Sequence, residues 1–139
     1  MSHENVEIVS AFFEAALHDP EQRGQSYLAD DCEFNPFSHP DGPAQGPGGF
    51  MRRVEEIASQ FETYEVRPDR LEQVGELVVA DLRREAKTKR GPAVIRDRFS
   101  QVFTLDGGKI VRVDSFPSFG EALEAAYEYN VATSGKDDE

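Results

Sequence analysis

At Tyr64 the spacing of apolar residues changes, and that change limits the architecture more than any other feature of the chain. Before it, apolar side chains recur at helical steps. Val6, Val9, Phe13, Ala16 and Leu17 share one face over residues 3–18, and Phe50, Val54, Ile57, Ala58 and Phe61 form a second stripe. After it, the residues read as strands at about 64–73, 77–86, 93–105 and 109–116. Lys87 to Pro92 makes one turn. Asp106-Gly107-Gly108 makes another, a strong hairpin signal because glycine reaches positive φ without steric cost. Helices followed by a run of antiparallel strands is the α+β order, and the predicted sheet curls over the helices with one face inward.

The remaining segments fit between these. Asp19-Pro20-Glu21-Gln22 reads as a helix start, with Asp as cap and Pro in the first turn, for a short second helix ending near Leu28. Cys32 to Phe37 reads as a strand stopped around Pro36. Residues 38–49 form a Gly/Pro-rich loop whose glycines lack the Lys-Ser/Thr of a phosphate-binding loop. Ser118 and Glu121 form a capping box for a last helix over 119–130, with Leu123, Ala126 and Tyr127 inward. Residues 1–131 are expected to form one domain, and 132–139 a disordered acidic tail.

The chain carries 27 acidic against 15 basic residues, a net charge of −12. Phosphate backbones and anionic lipid surfaces repel such a chain, so neither nucleic acid nor membrane is an expected partner. No stretch approaches the ~18 apolar residues of a membrane helix. The opening MSHENVEIV has no signal-peptide core, which points to the cytoplasm. Cys32 is the single cysteine and reads as a buried structural thiol. The basic run from Arg83 to Arg98 reads as a solvated hairpin whose charges block edge pairing, with anion binding as the competing reading. His3, His18 and His39 show no ligand spacing, so no metal or other cofactor is expected.

Three pieces in order resemble the SnoaL-like members of the nuclear transport factor 2 superfamily, over nearly everything from Asn5 to Tyr127. ENVEIVSAFFEAAL resembles the first helix, YLADDCEF the helix-to-strand junction, and FSQVFTLDGGKIVRVDSF the last hairpin. The resemblance implies a cone-shaped, curved antiparallel sheet packed on N-terminal helices and enclosing a pocket. It also implies a homodimer through the outer sheet face, where Val78, Ala80, Leu82 and Val102 are expected. The superfamily includes ketosteroid isomerases, polyketide cyclases, epoxide hydrolases, dehydratases and proteins that only bind, so fold does not carry function.

On this resemblance the pocket is lined by Phe12, Phe34, Pro36, Val79, Asp81, Arg83, Phe99, Gln101, Phe103, Val111, Val113 and Ser115. That mix, mostly apolar with a few polar groups, suits a small hydrophobic molecule. Asp81 is the candidate catalytic residue, since a carboxylate in an apolar pocket has its pKa raised and can move a proton near neutral pH. Arg83 would share its face, and a structural Asp–Arg pair at the rim is the alternative. Gln101 and Ser115 would orient a ligand, because an amide cannot shuttle protons and a serine without a base is a weak nucleophile. His39 is a further candidate at the pocket mouth, and Tyr27 and Tyr64 could border it. Asp114 is expected on the other face. Mapped onto a ketosteroid isomerase, the tyrosine falls at Phe12, the base at Pro36 or Asn35, and the oxyanion-hole Asp at Gln101, so that activity is not expected. Three functions remain: an acid–base isomerase, cyclase or hydrolase, a non-catalytic ligand-binding protein, or a dimerisation domain.

Overall fold

The computed structural model describes residues 3–18, 24–36, 42–91 and 93–137. Helix α1 (His3–His18) leads through a 3-10 turn (Gln25–Tyr27) into strand β1 (Leu28–Asn35). The two-residue β2 (Ala44–Gln45) precedes α2 (Gly46–Ala58). Four long strands follow: β3 (Phe61–Val74), β4 (Leu77–Thr88), β5 (Val94–Asp106) and β6 (Lys109–Phe116). Helix α3 (Phe119–Asp137) closes the chain. The strands form one curved, unclosed sheet in the order β2-β1-β6-β5-β4-β3. Pairing is antiparallel except for β1 against β6, which is parallel.

The boundaries follow local chemistry. Pro47 occupies the first turn of α2, where a missing N–H costs nothing. Gly107 and Gly108 both have positive φ, as the tight turn between β5 and β6 requires. The Ser118 Oγ accepts from the Glu121 N–H at 3.2 Å and donates to the Glu121 carboxylate at 2.8 Å, so the capping box forms. Several boundaries differ from the expected ones. β1 begins four residues before Cys32, the loop contains β2, Phe61 opens β3 instead of ending the α2 stripe, and α3 runs past residue 130. The expected helix start at Asp19–Gln22 lies outside the described residues.

Two apolar clusters lie on opposite faces of the sheet. On the inner face, Val9, Phe12 and Phe13 of α1 and Phe50 and Met51 of α2 pack on Phe34, Val78, Ala80, Leu82, Phe103, Ile110 and Val113. Five phenylalanine rings interlock there. Phe34 stacks on Phe50 at 4.5 Å, and Phe12 and Phe13 meet Phe103 edge-on at 6.1 and 5.5 Å. On the outer face, Ala122, Ala126, Leu123 and Phe119 of α3 cover Val74, Leu77, Val79, Val102 and Phe116. Tyr127, expected inward, is 54% exposed because α3 contacts the sheet along the Ala122–Ala126 side.

This two-sided cover corrects the expected facing of β4. Val78, Ala80 and Leu82 were assigned to the outer face and Val79, Asp81 and Arg83 to the inner one. Cross-strand neighbours share a face, and the register pairs Val78, Ala80 and Leu82 with Phe103, Gln101 and Phe99. The even-numbered residues of β4 therefore point inward and the odd-numbered ones outward. A similar correction applies to Val111. Thr104 pairs with Arg112 but Leu105 pairs with Ile110, so Val111 is the extra residue of a bulge and Ile110 takes the inward place.

Candidate functional site

The inner face of β5 presents Asp97, Phe99, Gln101 and Phe103 in turn, two residues apart. At the closed end, Phe103 is fully buried among the helix phenylalanines. Next to it, Gln101 is 8% exposed and pairs in register with Ser115 of β6. The Gln101 Nε2 donates to the Ser115 Oγ at 3.2 Å. This amide–hydroxyl pair is set in apolar surroundings: Ala80 and Val113 are fully buried neighbours, and Phe99 packs against the same cluster. Phe12, Phe34, Phe99, Phe103 and Val113 thus belong to one inner-face cluster, and Gln101 and Ser115 share that face.

Farther along the same face the cover thins. Tyr64 and Val66 of β3, Arg84 of β4 and Ile95 and Asp97 of β5 are half-buried. The register places Arg84 between Val66 and Asp97, all on the inner face. The Arg84 Nε donates to one Asp97 oxygen at 2.8 Å and its Nη2 to the other, a bidentate pair. Tyr64 stacks on Phe61 at 5.6 Å. The Arg84 guanidinium is 5.8 Å from the Phe99 ring centre. The electrostatics follow from these contacts. Hydrogen bonding to Arg84 holds the Asp97 carboxyl below its ordinary range, and the same bond raises Arg84 further. Burial pushes the Tyr64 hydroxyl up, against the lowering effect of Arg84. Sequence reasoning missed Arg84 and Asp97, assigning both to a solvated basic run. Their partnership across thirteen residues depends on the β4–β5 register, though a lone acid facing a basic strand was a usable signal.

Asp81 and Arg83 do share a face, but it is the outer one. Asp81 sits 3.5 Å from Arg98, while Arg83 pairs with Asp69 at 3.5 Å and Arg98 also holds Asp69 at 2.7 Å. The sheet separates this network from Gln101 and Ser115. Nearby, Glu65, Arg67, Arg83 and Glu85 line a surface hollow of about 150 Å³. Val79 is fully buried beneath α3, not in a pocket. Asp114 is on the outer face as expected, accepting from Asn35 at 2.9 Å and Arg112 at 2.8 Å. Cys32 is fully buried and its thiol is raised, chiefly by burial, which suits an inert structural role. His39 lies outside the described residues. Among the described residues, no three His, Cys, Asp or Glu side chains converge as a metal site, and no helix is long and apolar enough to cross a membrane.

The comparisons agree with this architecture. TerC, crystallised with polyporic acid, superposes with a TM-score of 0.72 at 20% identity, covering 90% of this chain and 98% of its own. An NTF2-like protein of Burkholderia thailandensis gives 0.72 at 21%, covering 86% and 96%. A putative SnoaL-like polyketide cyclase of Jannaschia sp. CCS1 gives 0.70 at 14%, covering 91% and 93%. At these identities the likeness concerns the fold alone. No curated protein matches the sequence. The SnoaL-like domain matches residues 9–113, from within α1 to Val113 of β6, a span that includes α2, β3–β5 and Gln101, and the chain belongs to that family.

Proposed function

We propose that this chain binds a small, largely apolar molecule on the inner sheet face, between Phe99 and the Gln101–Ser115 pair, without performing proton-transfer chemistry on it. One observation carries this reading: the polar pair set into the aromatic interior is an amide and a hydroxyl, 3.2 Å apart. Such groups orient a ligand oxygen or nitrogen but neither holds a mobile proton near pH 7. Asp81, the carboxylate that a base-catalysed reaction would use, faces the opposite side of the sheet. The organic molecule bound to TerC is in keeping with a ligand-binding role for this fold.

The test is a fluorescence titration with N-phenyl-1-naphthylamine, an uncharged apolar probe. Saturable one-to-one binding is expected, weakened about tenfold or more by Phe99→Ala, since burying a phenylalanine-sized surface is worth about 1.5–3 kcal/mol. Binding unaffected by that change places the ligand elsewhere. A homodimer belongs to the same proposal. Its surface would be the outer face of β3–β5 beyond α3, where Glu65, Arg67, Arg83, Glu85 and Arg96 mix both signs of charge. Sedimentation as a monomer at micromolar concentration contradicts it.

A further inference from the structure

The charges on the outer face of β3 and β4 are sorted by sign. The register sets Glu65 opposite Glu85 and, two residues along, Arg67 opposite Arg83. A row of carboxylates therefore stands beside a row of guanidiniums, about 7 Å apart at the backbone. Like charges directly opposite on paired strands destabilise a sheet, and alternating signs across the strands would have avoided both contacts. The four side chains line the surface hollow of about 150 Å³, each with just under half its surface exposed.

The ion pairs already present leave binding capacity in both rows. The Arg67 Nε donates to one Glu65 oxygen at 2.8 Å, which commits only one of its donors. Arg83 approaches Asp69 at 3.5 Å and Glu85 approaches Arg96 at 3.6 Å, both longer than a normal hydrogen bond. Hydrogen bonding to Arg67, reinforced by the charge of Arg83, lowers the Glu65 pKa, so this carboxylate stays ionised at neutral pH. A simple ion suits only one row. A cation between the glutamates faces the arginines close by, and an anion between the arginines faces the glutamates. A molecule with an ammonium group at one end and a carboxylate at the other meets each row with the opposite sign and relieves both like-charge contacts at once. The spacing of the rows suits a short carbon chain between its charges.

We propose that the outer-face hollow binds a small zwitterion, an amino acid or related molecule, with its ammonium group between Glu65 and Glu85 and its carboxylate between Arg67 and Arg83. This site is separate from the inner face and does not depend on the binding role proposed there. A second copy seated on the same face would cover the hollow, so the zwitterion and the dimer compete for it.

The probe is 4-aminobutanoate, with butanoate and butylammonium as controls of the same chain length that carry one charge each. Two-dimensional amide NMR is expected to show saturable shifts at Glu65, Arg67, Arg83 and Glu85 on adding 4-aminobutanoate. Each control should bind about tenfold more weakly, the low end for hydrogen bonds to a charged group because the hollow is open to solvent. Arg83→Gln should weaken 4-aminobutanoate about tenfold and leave butylammonium no weaker, and Glu85→Gln should weaken it equally and leave butanoate no weaker. Both changes remove a like-charge contact, and thermal melts verify that the fold is retained. Equal affinity for the three molecules, shifts centred on Phe99 and Gln101, or no saturable shift at all overturns the inference and leaves the inner-face reading standing. Shifts at the hollow with an unchanged dimer in sedimentation support the inference and move the dimer surface elsewhere.

Discussion

Exchanging neighbours on β4 tests which way the strand faces. Leu82 is fully buried on the inner face, opposite Phe99 and Pro68, whereas Asp81 is part-exposed on the outer face with an ion pair to Arg98 at 3.5 Å. Leu82→Ala removes buried methyl groups and leaves a cavity, at a cost of about 2–5 kcal/mol. Unfolding entropy of about 2.1 cal/mol/K per residue gives roughly 0.3 kcal/mol/K for a chain of this length, so Tm should fall by roughly 7–17 °C. Asp81→Ala loses one solvent-screened pair, worth at most about 1 kcal/mol, or roughly 3 °C. Differential scanning calorimetry of the two variants beside the wild type reads both numbers. Equal losses, or a greater loss for Asp81→Ala, would refute the assigned facing and with it the division of the sheet into an inner and an outer face.

Three further outcomes follow from single contacts. Gly75 has φ +60° in the β3–β4 turn, and a Cβ there would come within 1.9 Å of the Asn130 side chain, so Gly75→Ala should destabilise the fold by about 1 kcal/mol or more in denaturant titration, through strain at the turn and displacement of α3. Because the folded Asp97 pKa is lowered, the Arg84–Asp97 pair contributes its full stability above the unfolded carboxyl value of about 3.9 and loses it as pH falls toward the folded value. The stability gap between wild type and Arg84→Gln should therefore hold constant from pH 5 to 7 and narrow below about pH 4, and a gap that widens on acidification contradicts this. A Δ5-3-ketosteroid should remain unconverted, since the buried polar pair on the inner face, Gln101 and Ser115, offers neither a base nor an acid near pH 7, and robust enzyme-dependent turnover would show the inner face to be wrongly assigned.

Local signals carried much of the architecture. The change of period near Tyr64, the Asp106-Gly107-Gly108 turn and the Ser118–Glu121 box are each properties of a few adjacent residues; the turn and the box appear in the fold as expected, and the change of period comes three residues earlier, at Phe61. The facing of β4 was not legible for a physical reason. Strand alternation reveals orientation only where one face is wet, and here Leu77, Val78, Val79 and Ala80 are all buried, because the helices cover one face and α3 the other. Asp81 was a misleading marker for the same reason: it interrupts an apolar run at the margin of α3, where the outer face becomes exposed. Val111 failed because it is the extra residue of a bulge, and nothing in KIVRV announces one. On the inner face of β5 and β6, by contrast, Phe99, Gln101, Phe103, Val113 and Ser115 kept the expected alternation, since all five lie beyond the bulge, where pairing is regular from Thr104–Arg112 to Ser100–Phe116. Arg84 and Asp97 were hidden by composition, as charges in a charged run become distinctive only once pairing identifies a partner.

The central claim is that the ligand lies on the inner face, along Phe99 and the Gln101–Ser115 pair. Two-dimensional amide NMR of uniformly labelled protein, titrated with N-phenyl-1-naphthylamine, tests it most directly. Saturable shifts concentrated at Val66, Phe99, Gln101 and Ser115, with Arg67, Arg83 and Arg96 on the outer face left in place, are the expected result. Shifts centred on the outer-face residues, or spread without saturation over both faces, would contradict it.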